Sequence, residues 1–372
     1  MATLETAKRL VIKIGSAILV DTETGQLRED WLESLADDIS TLKTNDKAII
    51  IVSSGAIALG RARLGLVGRK LSLTEKQACA AAGQSLLTRA YEQALDTHEI
   101  TTAQALLTLN DTEDRRRWLN ARSTLETLLS LGAIPIINEN DTVATDEIRY
   151  GDNDRLAART AQMLGADTLI LLSDIDGLYT ADPRSNEAAQ HLPIITELTD
   201  SIMAMGGGVN IEAAMGSGGM ATKLAAAKIA TQAGCQMCIM DGRANSPLTR
   251  LKNGERSSWF EAASNPKKAR SQWIGGTLKP HGTLTIDTGA ANALTHGKSL
   301  LAAGVIKLSG DFNKGDAVSV CNETGTELAR GLIAYDAADA YKILGLKSGD
   351  ISDVLGYDNG AALIHRDNLV ML

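Results

Sequence analysis

Five short, almost unbroken aliphatic runs mark the first two thirds of this chain: RLVIKI from Arg9, KAIIIV from Lys47, AIPIIN from Ala133, TLILLS from Thr168 and QMCIM from Gln236. EITTAQALLT from Glu99 is a weaker sixth. A strand with one wet face alternates apolar and polar residues, so runs without alternation mean burial on both faces. Each run is followed by a small polar cluster and then a helix-like stretch. That order predicts an α/β fold with a mainly parallel sheet sandwiched between helices. In such sheets ligands bind beyond the C-terminal ends of the strands.

The residues at those ends are GSA after the first run, SSGA after the second and NEND after the third; SDIDG and DGR follow the fourth and fifth. Gly, Ser, Asn and Asp are ordinary turn formers, and one tip alone means little. GDND at 151–154 adds to the pattern, because it opens a helix with three polar side chains where one cap suffices. Lys13 interrupts the first run just before its tip. A lysine there needs an anion or a carboxylate partner for its ammonium group.

GSGGMATK, residues 216–223, places glycines, a hydroxyl and Lys223 at the start of an alanine-rich helical stretch. Freed backbone N–H groups at a helix N-terminus form an anion site, and a lysine one turn in adds a mobile charge. A Walker A loop is excluded: the chain's Gly-Lys-Ser end begins at Gly297, and position 292, where that loop needs glycine, is Asn. The relaxed dinucleotide fingerprint G-x-G-x-x-A fits GSGGMA, with Asp241 about twenty residues past Ala221. That fingerprint should follow a strand directly, whereas this one follows the Gly-rich MAMGGGVNIEAAM. A nicotinamide-dependent oxidoreductase is the alternative that this pattern leaves.

Composition narrows the classes further. With 44% hydrophobic and 22% charged residues in 372, the chain reads as a soluble globular protein of two domains. No apolar segment is long enough for a membrane span. The opening MATLETAKRL lacks the apolar core of a signal peptide, so the expected location is cytoplasmic. Net charge is -8, with no basic block to suggest a nucleic-acid partner. Cys235 and Cys238 form a C-x-x-C pair, but no second pair exists and the scattered histidines show no ligand spacing. No metal is assigned to protein side chains.

VIKIGSAIL, IVSSGAIALGR, NEND, GDND, LLSDIDGLYTADPR and GSGGMATK, in this order, resemble the amino acid kinase family, and in particular its members that act on glutamate. The resemblance spans essentially the whole chain. It implies ATP-dependent phosphorylation of the L-glutamate side-chain carboxylate at the entry to proline synthesis, with Mg2+ bridging ATP oxygens. It places Ser173, Asp174 and the loop Ser217, Gly218, Gly219, Met220, Ala221, Thr222 and Lys223 at the nucleotide, together with Lys13. Ser53, Asp141 and Asn153 align with positions that hold glutamate: Asp141 for the ammonium, Ser53 and Asn153 for carboxylates. Lys13 and Lys223 would act on the transferring phosphoryl group, with Asp154 orienting them. A homo-oligomer, dimer or tetramer, and feedback inhibition by proline are also implied. Aspartate and N-acetylglutamate are the competing acceptors within the family.

After the linker ASNPKKARSQWIGGTLKP the pattern changes. GTLTID, VIKLSG and DAVSVCN alternate over short spans between turn signals, which predicts a small, mainly β barrel or sandwich. The expected division is a kinase domain over 1–262, a linker over 263–278 and a β domain over 279–372 that resembles the PUA module. That module also occurs in RNA-modifying proteins, which makes RNA binding a second alternative. Residues 279–372 hold eight Lys plus Arg against eleven Asp plus Glu, a balance of -3. A surface tracking nucleic acid wants the opposite sign.

Overall fold

The computed structural model describes residues 4–21, 23–143, 153–207, 219–262, 280–357 and 360–372. The expected linker, 263–278, lies outside them. The chain forms two compact units, one of residues 1–113 with 121–266 and the other of 114–120 with 267–372.

The strands of the first unit are β1 (Arg9–Ile14), β2 (Ala48–Ser53), β3 (Thr102–Leu107), β4 (Ile134–Glu139), β5 (Thr168–Ser173), β6 (Leu178–Tyr179), β7 (His191–Leu192), β8 (Ile194–Ile195), β9 (Gln236–Asp241) and β10 (Ser257–Phe260). Its helices are α1 (Ser16–Leu19), α2 (Glu29–Thr44), α3 (Ala56–Arg63), α4 (Leu73–Asp96), α5 (Leu109–Glu113), α6 (Arg115–Ser130, of which residues 115–120 count with the other unit), α7 (Asn153–Leu164), α8 (Asp200–Ala204), α9 (Met220–Gln232) and α10 (Pro247–Lys252). Eight strands form one sheet in the order β3-β4-β2-β1-β5-β9-β10-β8. Every pairing from β3 to β9 is parallel, and β10 alone runs antiparallel to its neighbour β9. The six apolar stretches are thus the six parallel strands.

Strand parity decides which side chains meet which helices. Leu10, Ile12 and Ile14 of β1, Ile49 and Ile51 of β2, and Ile134 and Ile136 of β4 share one core with Trp31, Leu35 and Ile39 of α2 and Leu87 and Tyr91 of α4. Lys13, one residue out of step, points to the opposite face, where α7 packs on β1. There α7 and α9 lie against each other through small residues: Ala157, Ala158 and Ala161 of one helix and Ala226, Ala227 and Ala230 of the other are fully buried. Short side chains let the two backbones approach, and this closeness brings Asp154 within reach of Lys223.

Helices α3 and α4 approach more closely still. A Cβ on Gly83 would lie 1.8 Å from the Ala56 carbonyl oxygen, and one on Gly60 would lie 1.8 Å from that of Cys79. Alanine normally gains about 1 kcal/mol over glycine inside a helix. At Gly83 overpacking reverses the sign, so Gly83→Ala is expected to cost roughly 1–3 kcal/mol and to displace the first turn of α3. Denaturant titration checks this; a stabilised variant would mean that the two helices separate freely.

The second unit has β11 (Gly282–Ile286), β12 (Leu300–Leu301), β13 (Val305–Gly310), β14 (Ala317–Cys321), β15 (Glu327–Leu332), β16 (Ala362–Ile364) and β17 (Leu369–Met371). Five of them form a sheet in the order β13-β11-β14-β15-β17, and β12 pairs with β16. Leu284, Val318, Val320 and Ala329 alternate inward onto Phe312, Ile333 and Leu363. No helix among the described residues is long and apolar enough to cross a membrane.

Candidate active site

Because β4, β2, β1, β5 and β9 are parallel neighbours, their C-terminal ends share one edge of the sheet. A cavity of about 370 Å3 opens there, lined among others by Lys13, Ser54, Asp141, Asn153, Asp174 and Lys223. Lys13 Nζ lies 2.6 Å from Asp154 Oδ1, and Lys223 Nζ lies 3.3 Å from Asp154 Oδ2. The Thr222 hydroxyl lies 3.1 Å from the same Oδ2 and 2.8 Å from the Gly219 carbonyl oxygen. Asp154 is 1% exposed, Lys13 7% and Lys223 4%. Burial alone would push the Asp154 carboxyl up, but the two ammonium groups outweigh it and hold its pKa below the usual value. The three side chains together carry one net positive charge. Such a floor suits an anion richer in charge than a single carboxylate.

Backbone donors surround this floor. Helices α1 and α3 both begin at the cavity, where Ser16, Ala17, Ala56 and Ile57 contribute first-turn residues whose N–H groups have no helical acceptor. Gly55 precedes α3 with φ +112°, a left-handed conformation that favours glycine. Gly15 itself offers no donor, since its N–H goes to the Leu172 carbonyl at 3.3 Å. Ser173, at the tip of β5, donates to Asp174 Oδ1 at 3.1 Å, and both line the cavity. Gly219 caps α9 and Met220, Ala221, Thr222 and Lys223 form its first turn. Ser217 and Gly218 lie outside the described residues, as does the first half of GDND.

Amides form another part of the lining. Asn153 Nδ2 donates to the Ser53 carbonyl at 3.2 Å, to Ser54 Oγ at 2.7 Å and to Asn138 Oδ1 at 3.0 Å. Its two hydrogens are therefore committed. Asn153 Oδ1 is buried with no hydrogen-bond partner among the described residues. The amide nitrogen that the sequence suggested as a carboxylate donor is thus engaged by protein acceptors. Asp141 lies on the same wall, and burial pushes its carboxyl up to about 6.

Ser53 occupies an unexpected direction. It is fully buried, and its hydroxyl pairs with Tyr91 OH at 2.8 Å. Parity explains this: Ser53 follows Ile49 and Ile51 toward α4, while its neighbour Ser54, past the strand end, lines the cavity. Sequence reasoning missed Ser54 and Asn138, although each stands within a quoted tip, SSGA or NEND. It also missed Gln84 and Tyr91, for which the available signal was a polar group seven residues from a tyrosine on one helix face.

A buried cluster of cations suited to a polyvalent anion, set beside a carboxyl and amides in one cavity, fits a phosphotransferase acting on a small molecule. The chain belongs to the amino acid kinase family, whose model matches residues 8–241, and a PUA domain model matches residues 282–355. It is 57% identical over 367 residues to the glutamate 5-kinase of Caulobacter vibrioides, covering 99% of this chain and 97% of that one. The glutamate 5-kinase of Paramagnetospirillum magneticum is 57% identical over 371 residues, covering 100% of both. Among solved structures, carbamate kinase from Giardia lamblia bound to AMP-PNP is similar at 19% identity, covering 70% of this chain and 100% of its own, with a TM-score of 0.49.

Proposed function

We propose that this chain transfers the γ-phosphoryl group of ATP to the side-chain carboxylate of L-glutamate, giving L-glutamyl 5-phosphate, the first step of proline biosynthesis. The observation that carries the reading is Lys13, Asp154 and Lys223 joined at a cavity whose lining also includes Asn153 and Asp141. A carboxylate phosphoryl acceptor with a pKa of about 4.3 is already ionised, so no general base is needed. A carboxylate oxygen forms the new P–O bond as the bond to the β-phosphate oxygen breaks, and ADP leaves with that electron pair. Positioning and charge neutralisation are what remains for the protein.

Lys13 and Lys223 bind the phosphates and stabilise the charge that develops during transfer, while Asp154 holds both ammonium groups in place. Ser173, Asp174 and the start of α9 complete the nucleotide site, and the loop containing Ser217 and Gly218 belongs with it. Mg2+ accompanies ATP and supplies further charge neutralisation; Asp154, with both oxygens on cations, is not left to ligate it. Asp141 accepts from the substrate ammonium, with Asn153 beside it in the cavity lining. Ser54 and the turns at Gly15 and Gly55 offer donors to carboxylates, and Ser53 acts through its carbonyl bond to Asn153. A homo-oligomer and inhibition by proline belong to the same reading; unchanged activity in millimolar proline would remove the latter.

Acyl-phosphate formation trapped as hydroxamate tests the function. Product with glutamate, but not with aspartate or N-acetylglutamate, is the expected result. Equal product with N-acetylglutamate would sink the assignment of an ammonium site to Asp141.

Asp141 gives a separable prediction. Its folded-state pKa, about 6, lies above the usual carboxylate value of 3.8. Ionisation therefore costs stability as pH rises through this window, and the cost is fully present above about 6. The same carboxylate must be ionised to bind an ammonium group. Asp141→Asn should raise the glutamate KM roughly ten- to hundredfold with the ATP KM unchanged, and raise Tm at pH 8. Wild-type kcat/KM for glutamate should fall as pH drops below about 6. A variant with weakened ATP binding instead would move Asp141 to the nucleotide side.

A further inference from the structure

We propose that Gln84, on helix α4, is a positioning residue that holds Asn153 in the lining of the substrate cavity through Asn138. The proposal rests on the reading of Asn153 as part of the glutamate site given above. Asn138 Nδ2 donates to Gln84 Oε1 at 2.7 Å, and Asn138 Oδ1 accepts from Asn153 Nδ2 at 3.0 Å. Three amides thus run in line from the helix to the cavity. Gln84 Nε2 faces the Thr88 hydroxyl at 3.4 Å, one turn further along α4.

Backbone groups fix the polarity of this line. The Ser53 carbonyl can only accept, so the group that Asn153 turns to it is Nδ2. The Glu139 N–H can only donate, and it donates to Asn138 Oδ1 at 2.8 Å. Asn138 is left with Nδ2 toward α4, where it needs an acceptor, and Gln84 Oε1 supplies it. Without that acceptor a largely buried amide loses its anchor, and Asn153 loses one of the groups that hold its side chain in the cavity lining. Parity explains why α4 is involved: Asn138 follows Ile134 and Ile136 of β4 onto the face that α4 covers. Gln84, Leu87 and Tyr91 lie on one side of the helix, so the amide line and the Tyr91–Ser53 hydroxyl pair reach the cavity wall from the same support.

The test compares two near-isosteres in the full-length protein with hydroxamate kinetics, varying glutamate and ATP separately. Gln84→Met keeps the shape and removes the acceptor. It should raise the glutamate KM about tenfold, with kcat and the ATP KM within about twofold of wild type. Gln84→Glu keeps an acceptor oxygen and should restore most of the glutamate affinity. Equal impairment by both variants, or a matching rise in the ATP KM, would reduce Gln84 to packing and overturn the proposal. Asn153→Ala separates the two layers of the argument. A raised glutamate KM in Asn153→Ala beside a normal one in Gln84→Met would leave the site standing and overturn the relay; a normal KM in Asn153→Ala would overturn both. If Gln84→Met protein does not accumulate, Thr88→Val removes only the hydroxyl behind Gln84 and should give a smaller rise in the same constant alone. No rise there, with Gln84→Glu also impaired, would count against the proposal.

Discussion

Lys13→Ala is expected to lower kcat by on the order of a hundredfold or more, the loss seen when one preorganised transition-state donor is removed. The size follows from where the residue sits. Lys13 belongs to β1, hydrogen-bonded between β2 and β5 at the centre of the sheet, so its backbone has little freedom to adjust. Its ammonium group is buried and reaches the cavity floor, where a charge acts in a low dielectric and needs no reorganisation. Ser173 cannot replace a positive charge there, and Lys223, already on Asp154 Oδ2, supplies only the second of the two. Lys13→Met separates charge from volume, since it keeps most of the stem that packs beneath α7. Both variants should lose kcat to a similar degree, while Lys13→Met, which keeps the stem, should lose less stability in denaturant than Lys13→Ala. Turnover within a few-fold of wild type in Lys13→Met would remove Lys13 from the chemistry and leave it a structural partner of Asp154.

How much of this was readable beforehand depends on how local each signal is. Five of the six parallel strands were legible because burial on both faces disfavours polar interruption, whereas β3, at the sheet edge and mostly unburied, gave the weaker run. The antiparallel edge was not legible: β8 has two residues and β10 four, too few for a period to show. Lys13 stood out because a charge in a doubly buried strand demands a partner, and Asp154 stood out because GDND exceeds what a cap requires. Their union needed the close packing of α7 on α9, which depends on alanines that read as ordinary helix formers. Ser53 shows the opposite limit. Its position at a strand tip was plain, but whether its hydroxyl faces α4 or the cavity turns on strand parity relative to the helices, which a tip residue alone does not reveal. Gln84 lay further out of sight, because a glutamine within a helix looks like a solvated one until the sheet tip it supports is in place.

Asp154→Asn should produce the largest change in stability, and its sign should depend on ligand. The wild-type carboxylate is almost wholly buried and faces two ammonium groups. Removing one partner of a buried ion pair leaves an uncompensated charge, at a cost of about 3–5 kcal/mol. Here two cations are left, and the new amide turns at least one N–H donor toward groups that can only donate. For a unit of this size the cost corresponds to a fall in Tm on the order of 10 °C. ATP with Mg2+ brings anionic oxygens to the same two lysines, so the bound nucleotide supplies compensation that the protein has lost. The Tm gained on adding saturating ATP should therefore be larger in Asp154→Asn than in wild type, even though kcat falls because the ammonium groups are no longer held in register. Thermal scans of both proteins with and without nucleotide decide the matter. A variant whose Tm without ATP matches wild type would show that the lysines find other anions, and equal ATP-induced gains would show that they do not meet the phosphates.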